Sequence, residues 1–140
     1  MFLLKCASLA ALLLGLLAPA AATAQTWHGQ IRCAVITGLN TKPLVGEFVM
    51  NETGTRLSYS RPVHDADASI RSGVDETGTG TLTGNAITLQ GGASGAGYRY
   101  TSSYQGSIAG NRVTLTGEQV WTANRLAQPF HRACHIALTR

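Results

Sequence analysis

The chain has 140 residues, with eleven Lys and Arg against seven Asp and Glu, for a formal net charge of +4. That length allows one domain, and the basic excess is scattered over Arg32, Arg56, Arg61, Arg71, Arg99, Arg112, Arg125, Arg132 and Arg140. With no basic run and no aromatic-interleaved stripe, nucleic acid is a poor fit; the charge reads as a solvated surface of arginine-rich composition, or as a mild attraction to anionic envelope surfaces.

The first segment, Met1 to Ala24, has a lone Lys5, an apolar run over Leu9–Ala18, Pro19, and then the small residues Ala22-Thr23-Ala24. This is the layout of a cleaved signal peptide covering residues 1–24, with residues 25–140 as a single exported domain, periplasmic or secreted and of bacterial composition. The run is shorter than the ~20 apolar residues of a membrane span. Cys6 precedes it, where a lipoprotein needs its cysteine to follow. Removing the signal leaves Cys33 and Cys134, one near each end of the domain. An even pair in an exported chain reads as a disulfide. Closing a loop of roughly 100 residues contributes up to about 4.7 kcal/mol in the chain-entropy view.

The domain then reads as strand after strand. Trp27–Val35 alternates, with Trp27, Ile31, Cys33 and Val35 on one face, and the last strand mirrors it with Cys134, Ile136 and Leu138. Strands follow at Leu44–Met50 and Thr55–Ser60, joined by Asn51-Glu52-Thr53-Gly54. A similar joint, Asp75-Glu76-Thr77-Gly78, reads as a turn after a short strand around Ile70–Val74. One hairpin is written twice: Gly80-Thr-Leu-Thr-Gly-Asn-Ala-Ile-Thr-Leu-Gln-Gly91 aligns with Gly106-Ser-Ile-Ala-Gly-Asn-Arg-Val-Thr-Leu-Thr-Gly117. A two-residue turn at Gly84-Asn85 pairs Thr83 with Ala86, Leu82 with Ile87 and Gly80 with Leu89, and the second copy does the same. Tyr98–Ala109 enters that second copy and Arg112–Thr122 leaves it. The pattern predicts an all-β fold, an antiparallel up-and-down meander closed into a barrel of eight or nine strands, with its ends tied by Cys33–Cys134. Closure removes the open sheet edges. First and last strands are antiparallel neighbours only if the strand number is even.

Function would sit on the longer connections, Ile36–Pro43, Ser60–Ala68, Gly91–Gly97 and Thr122–Phe130, or inside the barrel. His64-Asp65-Ala66-Asp67 is the densest polar cluster but lacks the ligands of a Ca²⁺ loop. His131 and His135 are too far apart on a strand to share an ion, and with the cysteines opposed His135 faces Arg32. No metal site and no cofactor are expected. Gly91–Gly97 reads as a flexible loop, without the Gly-Lys-Ser/Thr ending or following helix of a phosphate loop. Asn51-Glu52-Thr53 is a glycosylation acceptor only in form. No nucleophile elbow is present, and the acids fall mostly in turns, so an enzyme is not expected. Trp27, Phe48, Tyr59, Tyr98, Tyr100 and Trp121 can all point inward among Gly29, Gly46, Gly80 and Gly106. An eight-stranded barrel is just wide enough to be filled by side chains or to hold one small ligand. The same residues therefore describe a packed core or an aromatic-lined cavity.

Trp27-His28-Gly29, the two Gly-Asn hairpins, Cys33 and Cys134 together resemble a diffuse group of small exported bacterial β-barrel proteins. The resemblance covers nearly the whole domain and implies the barrel, but carries over no functional residue. Lipocalins and avidins are similar in architecture alone. Two functions stand as expectations. One is a non-enzymatic barrel binding a small apolar or aromatic ligand through Trp27, Tyr98, Tyr100 and Trp121. The other is a protein-interaction module, a secreted protease inhibitor or envelope-associated structural protein, with a protease or envelope protein as partner.

Overall fold

A computed structural model describes residues 18–64 and 73–140. The signal-peptide reading up to residue 17, Asp65-Ala66-Asp67 and the strand candidate at Ile70 lie outside the described residues. The fold is all-β: β1 (Ala24–Cys33), β2 (Leu44–Thr53), β3 (Arg56–Val63), β4 (Val74–Thr83), β5 (Ala86–Gly95), β6 (Tyr98–Ala109), β7 (Arg112–Ala123) and β8 (Phe130–Thr139). Each strand pairs antiparallel with the next and β8 pairs with β1, so the meander closes into an eight-stranded barrel. The strand number is even, as antiparallel closure requires. Cys33 lies directly opposite Cys134 in the closing ladder, and the two are bonded at 2.03 Å.

The two ends of the barrel differ. One end carries three two-residue turns, Gly54-Thr55, Gly84-Asn85 and Gly110-Asn111, and each turn glycine has φ near +60°. Only a residue without a Cβ holds that conformation at no cost. The two Gly-Asn hairpins have the register their sequence predicts, with Leu82 opposite Ile87 and Ile108 opposite Val113. The longer connections after β1 and β7, the Ala96-Gly97 turn after β5, the end of β3 and the start of β4 gather at the opposite end.

Three local expectations are corrected. Asp75-Glu76-Thr77-Gly78 is not a turn; it lies inside β4, with Arg61 opposite Glu76 and Tyr59 opposite Gly78. Asn51 and Glu52 likewise belong to β2, where they pair with Ser58 and Leu57, and only Gly54-Thr55 turns. Gly91–Gly95 is the second half of β5, paired with β6 from Ser102 to Tyr98, and no loop. In each case the ladder to a neighbouring strand satisfies backbone groups that turn chemistry would leave to water, and local composition does not report that neighbour.

The interior is filled from the short-turn end by Trp27, Ile31, Phe48, Met50, Leu57, Ile87, Leu89, Val113, Leu115, Ile136 and Leu138, all buried. The outer wall is polar. Among the described residues Val45, 51% exposed, is the exposed large hydrophobic side chain on it, and Val49 and Val120 are half-buried there. This inside-out distribution is the reverse of a lipid-facing barrel. Among the described residues no helix is long and apolar enough to cross a membrane.

The disulfide closes a sequence separation of 101 residues across the seam. Replacing Cys33 and Cys134 together with serine should lower stability by about 2–5 kcal/mol in urea unfolding. A loss well below 1 kcal/mol would show that the β1–β8 ladder holds the seam by itself.

Candidate functional site

Midway along the lumen the apolar core gives way to charged and polar side chains. Arg61, Glu76, Ser102, Gln119 and Arg132 are all buried. The ladders explain how they meet. One row of cross-strand partners runs Tyr59–Gly78–Gly91–Ser102–Gln119–Arg132 from β3 to β8. The two glycines leave this row without side chains on β4 and β5. A Cβ at Gly78 or Gly91 would overlap the ring or hydroxyl of Tyr59. Tyr59 therefore lies across the gap and reaches Ser102, hydroxyl to hydroxyl, at 2.6 Å. On the long-loop side Arg61 faces Glu76, and Tyr100 faces Trp121.

Glu76 is the hub. Its Oε1 accepts hydrogen bonds from the hydroxyls of Tyr59 at 3.0 Å and Tyr104 at 2.8 Å. Its Oε2 accepts from Arg61 Nε at 2.6 Å, the Tyr100 hydroxyl at 2.8 Å and Gln119 Nε2 at 3.0 Å. Gln119 turns its other end outward from the hub: its Oε1 accepts from Trp121 Nε1 at 3.0 Å and Arg132 Nε at 2.8 Å. The Arg132 guanidinium also sits 5.1 Å from the centre of the Trp121 ring, a cation–π distance.

Burial by itself pushes the Glu76 carboxyl up, but the Arg61 guanidinium and hydrogen bonds from Ser102, Arg61 and Tyr104 outweigh it and hold it below the usual carboxylate range. Glu76 is thus an anion. The Tyr59, Tyr100 and Tyr104 phenols are pushed the other way, by burial first and by the Glu76 charge second. They stay protonated and act as donors.

Above this layer, toward the long-loop end, aromatic rings stack. Trp121 lies 4.1 Å from Tyr100 and 5.5 Å from Tyr98 between ring centres, within about 21° of parallel. Ile36, Leu39 and Val63 are buried against them, with Val74, Leu126 and Phe130 partly buried alongside. The Ile36–Asn40 turn is held by the Asn40 Oδ1, which accepts from the Ile36 N–H at 2.9 Å. Two depressions flank Tyr98 at the rim. One, of about 190 Å³, is lined by Leu39, Ala96, Gly97, Ala123 and Arg125; the other, of about 440 Å³, is lined by Ser94, Arg99, Thr122 and Asn124.

Of the four aromatics expected to share a site, Tyr98, Tyr100 and Trp121 form one stack. Trp27 is separate, in the apolar core toward the other end, with its Nε1 donating to Glu52 at 2.8 Å and Arg140 over its ring. His135 faces Arg32 as expected, and His131 lies 3.3 Å from Glu118 on the outer wall. No cluster of three or more potential metal ligands occurs among the described residues. The buried polar layer was not anticipated from sequence. Comparison of the chain with protein-family models, with curated proteins and with solved structures finds no match.

Because the Glu76 carboxyl titrates lower in the folded than in the unfolded chain, its contribution to stability is complete above the ordinary carboxyl range. It is lost as pH falls through that range and below. Glu76→Gln, which removes the charge from a buried pair, should cost about 3–5 kcal/mol at neutral pH and flatten the acid limb of stability against pH. An unchanged acid limb in the variant would mean that Glu76 is not ionised in the folded protein.

Proposed function

We propose that this protein is an exported, non-enzymatic β-barrel that binds a small apolar or aromatic ligand at its long-loop end. The division of the lumen carries the reading. The half nearest the short turns is an apolar core of the kind that folding alone favours. The other half buries an ion pair, three phenols and a second arginine where well-packed hydrophobic residues would be as stable or more so. Burying such groups together beneath an aromatic stack is the pattern of a functional site.

The lumen below Tyr98 is occupied by the protein's own side chains, so the ligand is accommodated at the rim. The depression between Leu39, Ala123 and Tyr98 has an apolar wall, a flat ring and the polar Asn124 and Arg125 at its edge. A flat ligand there extends the Tyr98–Trp121–Tyr100 stack by one ring. The Glu76 layer beneath fixes Tyr100 through its hydroxyl and Trp121 through Gln119, so the stack is rigid before the ligand arrives. Preorganisation of this sort cuts the ordering cost of binding. The disulfide suits an oxidising compartment.

The two tryptophans make the test direct, since Trp121 lies in the stack and Trp27 does not. Titration of the labelled protein with indole or p-cresol should move the Trp121 indole N–H resonance in a saturable way and leave that of Trp27 in place. Leu39→Asp should weaken the response about tenfold, the effect of a charge facing an apolar ligand. Movement of neither resonance, with capture of a stoichiometric protein partner from periplasmic extract, would replace this reading with the protein-interaction module.

A further inference from the structure

On the outer wall, at the seam where β1, β8 and β7 lie side by side, the side chains of one face form a ring around Ala137. The middle row of cross-strand partners is Gln30–Ala137–Thr114. On one side of it Arg32 faces His135, and on the other Thr139 lies between His28 and Arg112. Alanine has the shortest side chain of the group, so the ring encloses a depression of about 330 Å³. Arg32, Arg112, His28 and His135 supply its wall, Gln30 and Thr114 add neutral donors, and no carboxylate lines it. All four basic residues are exposed.

We propose that this depression binds the phosphate group of a small ligand or a lipid headgroup. The two arginines approach from opposite corners, separated by about 16 Å between backbones at the usual strand spacing and rise, with Ala137 at the midpoint. Both side chains can therefore reach inward to one centre. Arg32 already leans that way, its Nη2 3.5 Å from Gln30 Oε1. Planar guanidinium groups on two sides, with hydroxyl and amide donors between them, match an anion that offers several acceptor oxygens. An anion at the centre is attracted by both guanidinium groups at once. The outward carboxylates nearest in register do not enter the ring: Glu47 lies on the far side of β1, opposite Gln30, and Glu118 pairs with His131. The depression is formed at the seam, apart from the rim at Tyr98, so it stands or falls independently of the ligand reading above.

The test uses the full domain, labelled for NMR, with inorganic phosphate titrated against sodium chloride at equal ionic strength. Saturable shifts centred on Gln30, Thr114 and Ala137 are expected with phosphate and not with chloride. Arg32→Ala and Arg112→Ala should each weaken binding about tenfold, as expected for loss of a charge-assisted contact. Arg99→Ala, on the outer face of β6, should leave it unchanged. Sedimentation with phosphatidylglycerol vesicles, and not with phosphatidylcholine vesicles, identifies the source as a headgroup, provided that it too is lost in Arg32→Ala. Equal shifts with chloride, or neither phosphate nor vesicle binding that depends on Arg32 and Arg112, would overturn the proposal.

Discussion

A carboxylate without access to water must find its donors in the protein, and the Glu76 carboxylate sets that condition at the middle of this barrel. Besides Ser102, five donors reach it at 2.6–3.0 Å, from β3, β6 and β7. Each arrives from a fixed ladder position, so the polar layer also fixes how those strands face one another. Lose the charge and three phenols, an amide and a guanidinium lose a common acceptor. This is why a single side chain on β4 matters to strands on the far side of the lumen. The low-dielectric setting makes such a network costly to leave half satisfied.

The glycines take their meaning from the same layer. In β4 and β5 they are neither loop residues nor nucleotide-binding signals. Gly78 and Gly91 clear the space that the Tyr59 ring fills, and that ring carries one of the five donors. Gly80 and Gly106 work differently. They lie opposite Leu89 and Leu115, and the absent Cβ lets neighbouring backbones approach closely. At the short turns Gly54, Gly84 and Gly110 are required by their φ alone. One residue type thus performs three physical tasks, and only the last has a local sequence signature.

That difference explains how much the sequence could reveal. The hairpins, the closing disulfide, the all-β class and the opposition of Arg32 and His135 were legible because alternation and turn chemistry are local. The polar layer was missed even though the same alternation reaches it. Counting back by twos from Leu82 through Gly80 and Gly78 brings Glu76 inward. The same step from Leu57 and Tyr59 reaches Arg61, and from Cys134 it reaches Arg132. A turn at Asp75–Gly78 ends that count on β4 at Gly80, two inward positions short of Glu76. Charged side chains at inward positions run against the ordinary sorting of polar groups to the surface, so composition and alternation point in opposite directions at these positions. The separation of Trp27 from the other three aromatics had no signal of this kind, because it depends on position along the barrel axis and not on facing.

The molecule therefore combines a stable apolar base, an anionic hub with its donors, and an aromatic stack beneath a rim of longer loops. The functional reading depends on the middle element being an ionised carboxylate held by its neighbours, as opposed to a neutral acid tolerated in a packed core. Carbon-detected NMR of the Glu76 side-chain carboxyl across acidic pH measures this directly. The account predicts that its resonance keeps the ionised shift through the range where ordinary glutamates titrate, and changes only below it. Titration at or above the ordinary glutamate range would contradict the account.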